Sequence, residues 1–293
     1  MPRVQAAESA TGQDSQFQTV LALAREKSAQ DKLKLDSVDT AQRYRNLDIP
    51  ENLLEGLDNL QLIDILKEYP LMVSCRAFDT PEEGLSHLAR VYSPFRVLES
   101  RPEGRVLLER MCRSTDRSAF NRANGEVDPF RFLVMQVNER SRHSDRAASI
   151  TVRTPKGSAV VGLKRGEELS AERKAVINKG MAQAFPSAKR IGEPTTRYNC
   201  HSYALYSAST DNEVWINDPS PYYQDGSYVR AKGRDSADVV YYQKSDGTPS
   251  HSGLRIGQGM VRSKWGEAGL YEHGRLNCPY ATDGQKISFW TKS

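Results

Sequence analysis

The chain has 293 residues, with 41 basic against 37 acidic side chains, a formal charge of +4 and 38% hydrophobic residues. With 27% charged residues, 20 Gly and 14 Pro it reads as a loop-rich globular protein, which excludes a coiled coil or a wholly disordered chain. Its Lys and Arg residues form no dense stripe and no window has the apolar length of a membrane span, so neither nucleic acid nor a membrane is expected as a partner.

Residues 1–16, rich in Ala, Ser, Gln and Gly, read as a disordered tail without the apolar core of a secretory signal, so the chain is expected to be cytoplasmic as synthesised. Phe17, Val20, Leu21 and Ala24 then recur at helical spacing and start a first helix. Leu53, Leu54, Leu57, Leu60, Leu62, Ile63 and Ile65 predict two packed helical pieces over 52–69. Asp79-Thr80-Pro81-Glu82-Glu83 predicts another helix start, with Asp79 or Thr80 as cap and Pro81 in the first turn. Residues 103–112 give a further helix, and together these make 17–148 a mostly helical N-terminal domain.

From Ser149 the pattern changes. Ile150-Thr151-Val152 and Ala159-Val160-Val161 flank Thr154-Pro155-Lys156-Gly157 and predict a hairpin. A helix follows over 170–184, with Ser170 or a neighbour as cap and Glu172 in its first turn. Residues 149–293 therefore read as a second domain, and the whole chain as α+β.

Four cysteines occur, Cys75, Cys112, Cys200 and Cys278, with no C-x-x-C pair, so neither a disulfide framework nor a zinc ribbon is expected. Cys75 and Cys112 lie in apolar surroundings and read as buried small hydrophobes. Cys200 lies in Tyr198-Asn199-Cys200-His201-Ser202-Tyr203-Ala204, where a loop runs into a segment able to start a helix. Unpaired N–H groups at a helix start favour thiolate over thiol and can hold an oxyanion, which makes Cys200 the candidate nucleophile. A nucleophile needs a base, and His251 opens a segment in which Leu254 and Ile256 alternate as in a strand. Gly253 would share the face of His251 and let the thiol-bearing helix approach. His201 adjoins Cys200 and points about 100° away from it on a helix, which gives it a structural reading. Cys278 and His273 match no zinc spacing with Cys200 and His201, so neither a metal nor a cofactor is expected.

Ala237-Asp238-Val239-Val240-Tyr241-Tyr242 predicts the strand before His251, and 260–265 the strand after it. In this order the stretch from Ala184 to Trp265 resembles the NlpC-type and CHAP-type peptidases and amidases of the papain-like superfamily. The resemblance implies a nucleophile helix packed on a small antiparallel sheet, with Cys200 and His251 as the catalytic pair. Its third, ring-orienting position falls on Ser263, where those families usually carry His, Asn, Asp or Gln. A three-residue turn at Gly257-Gln258-Gly259 would independently put Ser263 on the face of His251, whereas a two-residue turn would present Lys264. Glu272 and His273 are the alternatives for that position. The resemblance further suggests Tyr198 as an oxyanion holder beside Asn199, and the aromatic strings containing Trp215, Tyr228 and Trp265 as walls of a substrate cleft.

The function expected is that of a thiol hydrolase acting on a peptide amide, with a peptidoglycan-like cell-wall peptide as the substrate the resemblance suggests. A cell-wall substrate would require export by a dedicated secretion system, as for a bacterial toxin or effector. The same residues would also serve an acyltransferase, and an inactive binding module on the same scaffold is the reading from a different class. The sequence carries no sign of oligomeric state.

Overall fold

The computed structural model describes residues 2–35, 37–114, 126–140 and 147–293. These belong to two compact units, one of Met1–Val38, Gln42–Cys75 and Pro81–Ser141, the other of Asp39–Ala41, Arg76–Thr80 and Arg142–Ser293. The domain division expected at 148/149 thus falls at Ser141/Arg142, and two short earlier segments join the second unit.

The helices are α1 (Pro2–Leu33), α2 (Thr40–Leu47), α3 (Asn59–Leu66), α4 (Pro81–Val91), α5 (Ser93–Ser100), α6 (Pro102–Ser114) and α7 (Phe130–Arg140). The tail expected over 1–16 is part of α1 from Pro2 onward, while Met1 lies outside the described residues. Asp58 and Gln61 close a capping box at the start of α3, each side chain accepting from the other's backbone N–H at 2.8 and 2.9 Å. That helix turns Leu62, Ile63, Ile65 and Leu66 inward, and Tyr69 stacks on Tyr92 with ring centroids 4.0 Å apart.

The second unit opens with the expected hairpin, β1 (Ala147–Arg153) and β2 (Ala159–Arg165), paired Val152 to Val160 with Gly157 at φ +93° in the turn. Helix α8 (Ala171–Ala184) is capped by Ser170, whose hydroxyl accepts from Arg173 N. Then come β3 (Lys189–Gly192), the short helix α9 (Ser220–Gln224), β4 (Tyr228–Arg230), β5 (Val239–Gln243), β6 (Pro249–Gly257), β7 (Met260–Lys264), β8 (Leu270–Gly274) and β9 (Lys286–Lys292). These seven strands form one antiparallel sheet in the order β3-β8-β7-β6-β5-β9-β4. The chain is α+β, with one helical unit and one built on this sheet.

The β6–β7 hairpin has the register expected from the sequence but reaches it differently. The turn is two residues, Gln258-Gly259, and a bulge between Arg255 and Gly257 restores the pairing of Leu254 with Arg262 that a three-residue turn would give. Among the described residues no helix is long and apolar enough to cross a membrane.

Candidate active site

Cys200 lies in the first turn of a short helix whose end, Ser202–Tyr206, is π-helical, with Ser207 N bonded to Ser202 O at 3.0 Å. Such widened turns recur at functional positions. Asn199 caps this helix. Its Oδ1 accepts from Ser202 N and Ile216 N, both at 3.1 Å, while its Nδ2 donates to Ile216 O at 2.7 Å and to Asp79 Oδ2 at 2.6 Å. Both amide protons are therefore engaged, and Asn199 is a cap and a carboxylate anchor, not the oxyanion donor expected from its position.

Asp79 reaches the site because the second unit holds the segment Arg76–Thr80 at several points. Arg76 pairs with Glu267 at 2.5 Å, the Tyr280 hydroxyl donates to Ala77 O, and Arg165 Nη2 donates to Asp79 O at 3.0 Å. Gly266, at φ +46°, permits the approach, since a Cβ there would stand 2.6 Å from Ala77 C and Phe78 O.

One sulfur, one ring nitrogen and one carboxylate oxygen, from Cys200, His201 and Asp79, all lie within 4.8 Å of one another. The 100° between neighbouring helical side chains fixes only their starting directions. An imidazole nitrogen two or three bonds beyond Cβ still comes near the sulfur, so that angle does not keep the two groups apart. Ser252 Oγ holds His201 Nδ1 at 2.8 Å. Burial pushes the His201 imidazole down to about 4, the Asp218 carboxylate opposing it, so the ring is neutral at pH 7.

His251 is not part of this group. Successive strand residues point to opposite faces, and the Cys200 helix packs on the face of Ser252 and Leu254. His251 and Gly253 occupy the other face. There His251 stacks on Tyr280 with centroids 3.6 Å apart and lies against Tyr242, and neither ring nitrogen has a hydrogen-bond partner among the described residues. The space expected at Gly253 for the thiol-bearing helix is filled by Val261 and Ser263.

Ser263 shares the face of His251, as its register requires, but serves His273. The Nδ1–H of His273 faces Gly274 O at 2.9 Å, which leaves Nε2 to accept from Ser263 Oγ at 2.7 Å, while Trp265 Nε1 donates to that oxygen at 3.1 Å. Burial lowers His273 to about 4. Glu272 pairs instead with Arg262 at 2.6 Å. The remaining candidates are buried packing residues, not cleft walls. Trp215 lies under the Arg165 guanidinium at 3.7 Å, Tyr228 belongs to the apolar core with Tyr222 and Val239, and Trp265 stacks on Tyr271. Tyr198, whose phenol burial pushes up to about 12, stacks on Tyr203.

Lys264 escaped the sequence reading except as the outcome of a different turn. It is fully buried on the Cys200 face, where Nζ donates to Thr195 O at 3.0 Å and Gly266 O at 2.6 Å and lies 5.2 Å from the Tyr198 ring centroid. Burial lowers it to about 7, with Glu267, Asp79, Glu168 and Cys200 opposing the shift. Thr195 and Tyr198 belong to the loop that enters Cys200, so Lys264 fixes that loop from below. A cleft of about 450 Å³, lined by Lys164, Arg165, Glu168, Thr196, Arg197 and Glu213 among others, borders the same loop.

The sequence model of a family described as a domain of unknown function (DUF7689) matches residues 189–287, which carry Cys200, His201, Ser252 and Lys264 but not Asp79. No curated protein and no solved structure matches the chain.

Proposed function

We propose that the second unit is a thiol hydrolase of peptide amides in which Cys200 is the nucleophile, His201 the proton carrier and Asp79 its electrostatic partner, an arrangement that replaces the strand histidine of the papain-like families with the residue next to the cysteine. The observation carrying this reading is the mutual approach, within 4.8 Å, of their sulfur, nitrogen and oxygen atoms. Hydrogen-bond distances shorter than this are expected only once substrate closes the site. His201, neutral at rest, takes the thiol proton as Cys200 sulfur bonds to the amide carbon. The C–N bond then breaks, and the imidazolium returns the proton to the leaving amine. Water, deprotonated by His201, releases the acyl group from the thioester as a carboxylic acid and restores the thiol. Asp79 stabilises the imidazolium while it exists, and Ser252 fixes the ring. The cleft bordering the Cys200 loop carries both cations and anions, which suits a short peptide with charged ends, a cell-wall peptide included.

The test is the alkylation rate of each cysteine by iodoacetamide across pH, read by mass spectrometry. Cys112 and Cys278 are internal references, since burial pushes both thiols up to about 12. Cys200 is expected to react at pH 7 at least about tenfold faster than either, to slow about tenfold in His201→Gln, and to keep its rate in His251→Gln. A Cys200 no faster than Cys112 would overturn the hydrolase reading. A rate that depends on His251 and not on His201 would overturn the assignment of the base.

A further inference from the structure

We propose that Cys200, His201 and Asp79 also form a binding site for a zinc-class divalent cation, and that the bound cation switches the thiol off. This rests on the reading of Cys200 as the reactive thiol. Cys200 and His201 are 1% and 3% exposed, and the group they form with Asp79 offers one thiolate, one imidazole and one carboxylate. A tetrahedral zinc with bonds of about 2.0–2.3 Å holds its ligand atoms roughly 3.3–3.8 Å apart, so closure of an ångström or so from the 4.8 Å limit completes the site. A thiolate with an imidazole selects zinc-class ions over magnesium or calcium.

Hydrogen bonds already orient two of the three side chains, as they do around bound metals. Here Ser252 holds His201 Nδ1 at 2.8 Å, and Asn199, locked by Ile216 and Ser202, holds Asp79 Oδ2 at 2.6 Å. The three side chains leave a fourth position for water. The ligand set is not legible as a local spacing because Asp79 comes from a remote segment. Coordination and catalysis draw on the same lone pairs: a cation on the sulfur and the ring nitrogen leaves neither a nucleophile nor a base.

The experiment uses the full chain, stripped with a chelator and titrated with zinc alone. Bound metal is measured after equilibrium dialysis and Cys200 alkylation by mass spectrometry. We expect one zinc per chain, a fall of at least about tenfold in Cys200 alkylation on loading, and recovery with chelator. Asp79→Asn should weaken zinc binding by about 10–100-fold. Cobalt should give a near-ultraviolet thiolate charge-transfer band that Cys200→Ser abolishes. Slow Cys200 alkylation in the metal-free protein would refute the thiol reading itself. Fast metal-free alkylation that zinc leaves unchanged, or zinc binding retained in Cys200→Ser, would refute the metal inference alone. Alkylation or hydrolysis that rises on zinc loading would refute the switch.

Discussion

Ser252 holds the ring of His201 at 2.8 Å, while its chain neighbour His251 turns to the opposite face of the sheet and stacks on Tyr280. One residue of strand parity therefore decides that Ser252, and not His251, faces the Cys200 helix. Every residue on β6 that could meet the Cys200 helix lies at an even position, and the histidine that the sequence order recommends lies at an odd one.

The first prediction concerns that bond. Ser252→Ala leaves His201 Nδ1 buried without a partner, at a cost of about 1–3 kcal/mol, and frees the ring to rotate away from the sulfur. Alkylation of Cys200 at pH 7 should slow about tenfold, with recovery in Ser252→Thr, which keeps the hydroxyl. An alanine variant with unchanged alkylation would remove Ser252 from the site.

The second concerns acid. His201 and His273 are held down to about 4 by burial, and His251 is lowered by burial and by those two rings. A histidine whose folded value lies below its unfolded value of about 6.5 stabilises the fold above that pH, and the contribution is lost as pH falls towards the folded value. His201 and His273 should each forfeit on the order of 3 kcal/mol between about pH 6.5 and 4. The three tryptophans, Trp215, Trp265 and Trp290, all belong to the second unit, so their fluorescence reports it alone. The urea midpoint read this way should drop steeply across that window. A midpoint flat from pH 7 to 4 would contradict the burial of these rings.

Much of the second unit is legible in the sequence because its signals are local. Ser170 caps α8, Gly157 marks the first hairpin, and the residues around Val239 and Leu254 read as strands. The β6–β7 register is also legible, although the bulge that produces it is not, because two local geometries give the same pairing. The face covered by the helix is not legible, since His251, Ser252 and Gly253 are all buried and no polar alternation marks an outside. Asp79 is hidden for another reason: before Pro81 it has every feature of a helix cap, and only the tertiary fold turns it to Asn199.

The third prediction follows from the crowding on the other face. A Cβ at Gly253 would fall inside van der Waals contact with Val261 Cγ1 and 3.0 Å from Ser263 Cβ. Gly253→Ala should therefore destabilise the second unit by about 1–3 kcal/mol, visible as a lower urea midpoint by tryptophan fluorescence. Cys200 alkylation in the folded variant should keep its wild-type pH dependence, because the strain lies across the sheet from the thiol. A variant that is stable but slow at Cys200 would mean that the helix packs on the Gly253 face after all.

The fourth concerns Lys264, whose ammonium is buried between two carbonyls and held at about 7. The unfolded chain keeps this proton up to about pH 10.4, so between about 7 and 10 it binds more protons than the folded state, and stability from this group rises with pH. From pH 7 to 9 the gain amounts to about 2 kcal/mol. Buried Cys278, whose thiol is pushed up to about 12, works against it, because its unfolded counterpart ionises first. Comparing the wild type with Lys264→Met isolates the lysine. Methionine matches its length but orphans Thr195 O and Gly266 O, at about 1–3 kcal/mol each, a loss the removal of a buried charge offsets at pH 7. The variant should therefore stay near wild-type stability at pH 7 and fall behind it by about 2 kcal/mol at pH 9. A gap that does not change with pH would mean that the ammonium titrates at its ordinary value and that Lys264 only fastens the loop. The same variant should loosen the chain entering Cys200, since Thr195 loses its anchor five residues before the thiol.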